Sequence, residues 1–224
     1  KVFSGDVYHT GNWPHEPVRF DKKRVAMIGT GSSGIQAIPE IANQAKKLFV
    51  LQRTPNYSVP ARNQPLKPQF HFEFVKKIEF WRAKMMESRH GHPWVAPDRE
   101  VEKTAKEKRL EIMERAWLHG GLSFRESFSD VLVSPESNEI MSEFIRQKIL
   151  KIVNNPETAN TLLPKDHPFG TKRPPIDTNY FETFNRENVC LIDLKANPIT
   201  CCEESGIRLE DNTLIKTDVI VFAT

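Results

Sequence analysis

The sequence has few cysteines, which leaves little scope for disulfide bonds or for metal sites built from thiolates. Among 224 residues the only cysteines are Cys190, Cys201 and Cys202. Three cysteines at these spacings fit neither a disulfide framework nor a set of metal ligands, so we predict no metal site. Free, reduced thiols are typical of the cytoplasm, which is the location that we predict.

Long apolar runs and a strong excess of one charge are also lacking. No run approaches the ~18 apolar residues of a membrane span, and no early apolar segment resembles a signal peptide. The net charge is only +3, and no basic tract is interleaved with aromatic residues. We therefore predict neither a membrane nor a nucleic-acid partner. A chain with 38% hydrophobic and 27% charged residues is typical of a globular protein with one large domain or two small ones.

The first recognisable pattern is that of a β-turn-α-β unit. Residues 24–28 form a short apolar run that predicts a buried strand, and residues 33–43 have helical periodicity. Pro39 lies inside that helix, so a kink or an early end is expected there. Residues 48–52 predict the next strand. This order is typical of the first half of a Rossmann unit.

A charged, helical region interrupts this pattern. Four prolines predict a loop over residues 55–68, and helical periodicity follows in residues 70–118 and 137–153. The apolar stripes could face a membrane or a partner. We interpret them as the core of a helical subdomain, with Trp81, Phe144 and Ile149 buried, because the polar faces carry both signs of charge. The stripes comprise Phe74, Ile78, Trp81 and Met85, then Ile140, Phe144, Ile145, Ile149 and Ile152.

The remainder predicts a return to β-structure. A strand is expected at 189–192, three short antiparallel strands at 198–202, 207–209 and 213–216, and a last apolar strand at 218–223. We predict an α/β fold in which a helical insertion interrupts a Rossmann-like domain. Its predicted parts are a linker (1–23), a dinucleotide-binding domain in two segments (24–64 and 164–217), the insertion (65–163) and a terminal strand (218–224).

The glycine-rich turn after the first predicted strand has the spacing of a dinucleotide-binding loop. Gly29, Gly31 and Gly34 form G-x-G-x-x-G between a predicted strand and a predicted helix. Gly29 allows a tight turn, Gly31 lets the backbone approach a pyrophosphate, and Gly34 lets helix and strand pack closely. The diphosphate would rest on free N–H groups at the start of the helix. A glycine turn without a ligand is the alternative.

The end of the second predicted strand indicates which dinucleotide is bound. An NAD site usually has a carboxylate there, about 20 residues past the glycines, to bind the ribose 2′-hydroxyl. The sequence instead has Gln52, Arg53 and Thr54. Arg53 can hold a 2′-phosphate by two parallel hydrogen bonds, and Thr54 can add a hydroxyl. The residues favour NADP(H), although a solvated surface arginine would give the same pattern.

Two further cations, Lys172 and Arg173, lie in a loop stiffened by Pro174 and Pro175. Adjacent residues of an extended loop point in different directions. One cation could therefore face a phosphate while the other faces a second anion. Ordinary surface charge is the alternative for the isolated pair.

Residues 3–14, FSGDVYHTGNWP, have the pattern F-x-G-x-x-x-H-x-x-x-W-P, formed by Phe3, Gly5, His9 and Trp13. This pattern resembles the fingerprint of the Baeyer–Villiger monooxygenases, and the resemblance extends from Phe3 to Thr224. It includes GTGSSGIQ (29–36), QRTPNYSVPARN (52–63), FGTKRPPIDTNYFETFNRENV (169–189) and DVIVFAT (218–224).

The resemblance implies an FAD- and NADPH-dependent enzyme that converts ketones to esters or lactones with O2. Arg173 matches the family's catalytic arginine, which faces the flavin, and Lys172 matches the lysine that assists Arg53 at the 2′-phosphate. His9 matches the fingerprint histidine of the linker that moves the NADP domain. The implied NADP-binding residues are Gly29, Thr30, Gly31, Ser32, Ser33, Gly34, Ile35, Gln36, Arg53, Thr54, Lys172 and Arg173.

The chain also departs from the family pattern, because the family has two dinucleotide folds and only one G-x-G-x-x-G occurs here. We therefore expect an NADP(H)-binding portion whose partners are a small ketone, O2 and an FAD domain of the same parent chain. The terminal strand is assigned to that FAD domain. The alternatives are the NADP domain of an N-hydroxylating or heteroatom-oxidising flavin monooxygenase, a non-catalytic NADP-binding module and, with little motif support, a helical interaction protein. Trp13 and Pro14 favour the Baeyer–Villiger branch.

Overall fold

A computed structural model describes residues 2–88, 91–92 and 97–224 of the chain. Two compact units are present, one formed by residues up to 58 together with 142–224, the other by residues 59–141. The sequence placed the end of the insertion at residue 163, but residues 142–163 belong to the first unit. One reason is that Arg146 donates a hydrogen bond to the Tyr57 hydroxyl at 2.9 Å, which ties this segment to the start of the chain.

Ten strands and seven α-helices are defined in the described residues. The strands are β1 (Asp6–His9), β2 (Arg24–Ile28), β3 (Lys47–Gln52), β4 (Val59–Pro60), β5 (Ile176–Asp177), β6 (Val189–Asp193), β7 (Ile199–Glu203), β8 (Gly206–Leu209), β9 (Leu214–Lys216) and β10 (Val219–Phe222). The helices are α1 (Ser32–Gln44), α2 (Pro68–Lys76), α3 (Ile78–Glu87), α4 (Lys106–His119), α5 (Pro135–Ile152), α6 (Pro156–Leu162) and α7 (Tyr180–Thr183).

The first unit is built on a parallel sheet of five strands in the order β1-β10-β2-β3-β6. Helix α1 connects β2 to β3 and packs against both. It continues past Pro39, so the expected kink or early end does not interrupt it. The predicted α/β class with a parallel sheet is confirmed, and β2 has the predicted bounds.

Two strands differ from expectation. Part of the presumed linker forms the edge strand β1, whose residues pair with β10. The sequence assigned the last strand to another domain, whereas in this structure β10 lies between β1 and β2 and pairs with both. The cause is its composition: Val219, Ile220 and Val221 are almost completely buried, as expected of a strand covered on both faces.

The predicted antiparallel strands form a second sheet, β7-β8-β9. This sheet packs on the parallel sheet through one apolar cluster. Its buried members are Phe3, Ala26, Leu51, Ile207, Leu209, Ile215 and Ile220. The second sheet therefore covers part of the parallel sheet and helps to bury its central strands.

The second unit is helical, as predicted, but its first two helices do not have the expected core. Helices α2 and α3 contain no buried residue; Trp81 is half-buried and Ile78 is 39% exposed. The rings of Phe70, Phe74 and Trp81 stack on one another instead, with centroids 6.1 and 6.3 Å apart. Two short helices bury little surface against each other, which explains the difference.

Helix α4 and the segments around it form the buried part of the second unit, which includes Val101, Ile112, Met113, Trp117 and Phe124. Helix α5 fits its predicted stripe, since Phe144, Ile145 and Ile149 are buried. No helix among the described residues is both long and apolar enough to cross a membrane.

Candidate functional site

The glycine loop follows β2 and leads directly into α1. Gly29 has a φ of +107°, and a Cβ there would lie 2.5 Å from the Ala223 carbonyl oxygen. A Cβ on Gly34 would lie 2.3 Å from the Gly29 carbonyl oxygen. A Cβ on Gly31 would meet nothing within 4 Å. Packing thus requires glycine at Gly29 and Gly34, whereas Gly31 borders open space.

Helix α1 begins at this loop without a side-chain cap. Gly31 is the residue before its first turn, and no side chain accepts a hydrogen bond from the first N–H groups. Uncapped N–H groups and the helix dipole favour an anion at this end. The Ile35 N–H, however, donates to the Gly31 carbonyl at 2.9 Å, and its side chain is buried. Ile35 therefore belongs to the core, in contrast to the exposed Ser32 and Ser33.

A cavity of about 610 Å³ lies beside the glycine loop. It is formed at the carboxyl ends of β2, β3, β6 and β10, the edge where ligands bind in open α/β sheets. Six residues singled out in the sequence line it: Gly29, Thr30, Gly31, Arg53, Thr54 and Lys172. Thr30 is buried, and its hydroxyl lies 3.4 Å from the Thr54 carbonyl, which links the glycine loop to the segment after β3.

The two cations of the cavity wall are Arg53 and Lys172. Both side chains are exposed, and neither forms an ion pair or hydrogen bond with the described part of the chain. Unpaired cations on a concave wall attract an anionic ligand. The arrangement can therefore hold a phosphate between the end of β3 and the loop that contains Lys172.

That loop is anchored on both sides of its cations. Phe169 is fully buried, and Thr171 donates to the Pro168 carbonyl through its backbone N–H (3.3 Å) and its hydroxyl (2.8 Å). Pro174 and Pro175 are buried. Arg173 is exposed and does not line the cavity, although its neighbour Lys172 does. Of the two adjacent cations, only Lys172 therefore faces this cavity.

The fingerprint residues lie outside the cavity and form a local structure. Phe3 is buried, and a Cβ on Gly5 would lie 2.3 Å from the Asp218 carbonyl oxygen. The His9 Nδ1 accepts a hydrogen bond of 3.0 Å from the Gly11 N–H and so caps a short 3-10 turn. Trp13 contacts Tyr8 and Phe20, with ring centroids 5.5 and 6.3 Å away. These residues shape β1 and the turn after it.

Sequence analysis missed a polar network beside the cavity. Asn56 lines the cavity, and its Oδ1 lies 3.3 Å from the Nε2 atom of His167. The His167 Nδ1 lies 2.6 Å from Asp166, whose other oxygen accepts a bond of 2.9 Å from Lys195. Hydrogen bonds from His167 and Lys195 lower the pKa of Asp166 to about 2. Asp166 and His167 lie just before the FGTKRPP segment, but nothing local indicated the contact of His167 with Asn56, 111 residues away.

No group of three His, Cys, Asp or Glu side chains within the described ranges could hold a metal ion. The thiols of Cys190, Cys201 and Cys202 are free.

Sequence comparison identifies relatives across nearly the whole chain, although no family model matches it. A cyclohexanone 1,2-monooxygenase from Acinetobacter sp. is 40% identical over 229 residues, which cover 99% of this chain and 41% of that protein. A Baeyer–Villiger monooxygenase from Pseudooceanicola batsensis is 37% identical over 224 residues, with 99% and 41% covered. The chain thus spans about two fifths of the length of these curated relatives.

Solved structures match the fold over the whole chain as well. A crystal structure of OTEMO in complex with FAD and NADP superposes with a TM-score of 0.96 at 35% identity, over 100% of this chain and 42% of that one. The match includes the parallel sheet and the helical segment. In sequence and in fold the chain therefore matches one segment of Baeyer–Villiger monooxygenases.

Proposed function

We propose that the chain is the NADP(H)-binding portion of a flavin-dependent monooxygenase that converts small ketones to esters or lactones with O2 and NADPH. The observation that supports this most directly is the cavity that brings the glycine loop together with Arg53 and Lys172. The related proteins supply the reaction class, since one of them is a cyclohexanone monooxygenase.

The residues present fit a dinucleotide. The open space at Gly31 admits a diphosphate close to the backbone, and the uncapped start of α1 offers N–H donors to it. Thr30, Ser32, Ser33 and Gln36 flank this position. Gly29 and Gly34 shape the loop through their close packing.

Arg53 and Lys172 would hold the 2′-phosphate, with Thr54 beside them. Arg53 occupies the position after β3 where an NAD site has a carboxylate. A guanidinium can form two parallel bonds to a phosphate, and lysine adds a point charge. The pair therefore selects NADP(H) over NAD(H).

Arg173 is assigned a different role, in the oxygenation step. It is next to Lys172 but outside the cavity lining, so it is free to face a group bound elsewhere. A cation held near the reacting carbonyl stabilises negative charge that develops on its oxygen. When bound, NADPH supplies a hydride to the flavin. FAD would be held by a part of the protein outside these 224 residues, since this chain has one dinucleotide loop.

The free thiols of Cys190, Cys201 and Cys202 support a reducing, cytoplasmic location for this protein.

Calorimetric titration of the chain with NADP+ and NAD+ tests the binding role without a flavin. We expect NADP+ to bind at least about tenfold more tightly, as one charged hydrogen-bond partner contributes about 1.5–3 kcal/mol. Equal affinities would contradict the 2′-phosphate assignment. Product analysis of the FAD-loaded full-length protein with cyclic ketones and with amines then separates ketone oxidation from N-hydroxylation. Tight NADP+ binding with neither product would leave a non-catalytic module.

A further inference from the structure

The helical unit formed by residues 59–141 contains a groove that the proposed function does not use. Its volume is about 470 Å³, which lies within the range of small-molecule pockets. Helix α4 forms one wall, and Pro97, Arg99 and part of the 3-10 turn at Leu122–Ser127 form the other. The dinucleotide cavity shares no lining residue with this groove, which is therefore a separate candidate site.

Arg99 is held by contacts that do not involve its two terminal amino groups. Its Nε–H donates to the Ser127 carbonyl at 2.9 Å, and its Cζ atom lies 5.6 Å from the centroid of the buried Phe128 ring. Its backbone is fixed as well, because the Arg99 carbonyl accepts bonds from the N–H (2.9 Å) and the hydroxyl (3.0 Å) of Ser129. The guanidinium is thus preorganised to offer its amino groups to a ligand at little cost in side-chain entropy.

Arg115 of α4 is the second cation of the groove. It is exposed and forms no hydrogen bond or ion pair with residues 2–88, 91–92 or 97–224. Glu111, one turn earlier, would be its usual partner, but that carboxylate accepts a bond of 2.9 Å from Lys108 and is left with only a weaker, longer-range attraction to Arg115. His119, one turn later, also lines the groove and can donate an N–H.

The one carboxylate among the described lining residues is already neutralised. Glu126 accepts bonds of 2.9 and 2.5 Å from Arg125, and the two side chains are only 17% and 21% exposed. Because this pair is neutral, Arg99 and Arg115 give the groove a net positive charge. Two guanidinium groups in one groove repel each other, and an anion bound by both removes this repulsion.

The remaining lining of the groove is partly apolar. Ile112 is 4% exposed, Ala116 is half-buried, and both lie on α4 beside Arg115. An inorganic anion would use only the guanidinium groups, whereas an apolar group attached to the anion would also remove this surface from water.

We propose that the groove binds a small amphipathic anion, with its carboxylate or phosphate group on Arg99 and Arg115 and its apolar part on Ile112 and Ala116. The planar guanidinium fork matches the oxygen atoms of either group by two parallel hydrogen bonds. The site is independent of the dinucleotide cavity and does not rest on the proposed function.

The test is titration of the isotope-labelled 224-residue chain, followed by amide NMR. The probes are octanoate, octyl phosphate, octanol and inorganic phosphate. We expect the two amphipathic anions to shift the amide signals of residues 112–119 and 123–127, and to bind at least about tenfold more tightly than octanol, because a hydrogen bond between charged groups is gained. The tighter of the two identifies the preferred head group.

Arg115→Ala is the main variant, because this exposed side chain makes no contact that the fold requires. It should raise the Kd for octanoate about tenfold. Arg99→Lys keeps a charge but loses the planar fork, and it should weaken octanoate binding as well. Lys106→Ala is the matched control, since Lys106 is an exposed cation of the same helix outside the groove lining, and its Kd should equal that of the wild type.

Four results would overturn the inference. Equal affinity for octanol and octanoate would remove the role of the charge, and equal affinity for inorganic and octyl phosphate would remove that of the apolar part. An unchanged Kd in Arg115→Ala would place the anion elsewhere. Displacement of octanoate by NADP+ would place it in the dinucleotide cavity, whereas the proposed site predicts the same octanoate Kd with and without NADP+.

Discussion

The Gly29 backbone lies against Ala223 so closely that a Cβ on Gly29 would be 2.5 Å from the Ala223 carbonyl oxygen. Alanine substitution at Gly29 and at Gly31, two glycines of the same motif, should therefore affect stability differently. Gly29→Ala combines this clash with a strained φ of +107° and should lower the free energy of unfolding by about 2 kcal/mol or more. Gly31→Ala should leave stability within about 0.5 kcal/mol, because its Cβ meets open space.

The Gly29→Ala and Gly31→Ala variants also distinguish an effect on folding from an effect on nucleotide binding. A methyl group at Gly31 would occupy the space proposed for the diphosphate, so Gly31→Ala should weaken NADP+ and NAD+ binding alike. Urea unfolding and calorimetry on the two variants give both quantities. A stable Gly31→Ala chain with unchanged affinity for both nucleotides would exclude the loop as the diphosphate site.

Arg53 should control the choice of nucleotide. Arg53→Ala is expected to raise the Kd for NADP+ roughly 10- to 150-fold, corresponding to about 1.5–3 kcal/mol for one charged partner, with little change for NAD+. Arg19→Ala is the matched control, because Arg19 is exposed and does not line the cavity. Equal weakening of both nucleotides in Arg53→Ala would remove the 2′-phosphate role.

Lys172 and Arg173 are adjacent, but replacing each by alanine should change a different kinetic quantity. In the FAD-loaded full-length protein, Arg173→Ala should still oxidise NADPH but form ester on the order of 10²–10³ more slowly, as expected when an electrostatic stabiliser is lost. Lys172→Ala should raise the KM for NADPH and retain ester formation at high cofactor. Rates of NADPH oxidation and of ester formation, measured separately, distinguish the two. Near-normal ester formation by Arg173→Ala would make both cations phosphate ligands.

The ion pair of Asp218 with Arg24 predicts a pH dependence of stability. Arg24 donates to both oxygens of Asp218 at 3.1 and 2.6 Å, and its backbone N–H adds a bond of 2.7 Å. These contacts lower the pKa of Asp218 to about 2. A carboxylate with a lowered folded-state pKa stabilises the fold above its unfolded value near 3.9, and this stabilisation is lost as the pH falls toward about 2.

Asp218→Asn should accordingly lower the free energy of unfolding at neutral pH by about 1 kcal/mol, a small value because both side chains are about 40% exposed and solvent screens the pair. The difference between variant and wild type should shrink as the pH falls below about 4. Urea unfolding at several pH values measures it. A difference that is constant with pH would assign the effect to packing.

Local patterns predicted much of the fold. The bounds of β2, the glycine turn and α1 follow from apolar runs and glycine spacing within some twenty residues. The positions of β1 and β10 did not follow, because their pairing joins residues more than 200 positions apart, such as Asp6 and Val219. An apolar run such as VIVF specifies a buried strand without specifying its neighbours.

The candidate site was likewise predicted only in part from the sequence. Arg53 and Lys172 were found by their charge and their place in motifs, and the cavity brings them together. The contact between Asn56 and His167 was missed, since neither residue is unusual alone. The apolar stripe of α2 and α3 was misjudged for a related reason: periodicity shows that one face is apolar but not whether anything covers it.

The position of β10 has a consequence for how the chain acquires its structure. During synthesis β1, β2 and β3 emerge first, yet β1 and β2 cannot be joined until residues 219–222 arrive and enter the gap between them. The edges of that gap carry unpaired backbone groups in the meantime, which is a hazard for aggregation. Such distant pairing also slows folding. A ribosome-bound chain in which β10 has not yet been synthesised would therefore be a natural client for chaperones.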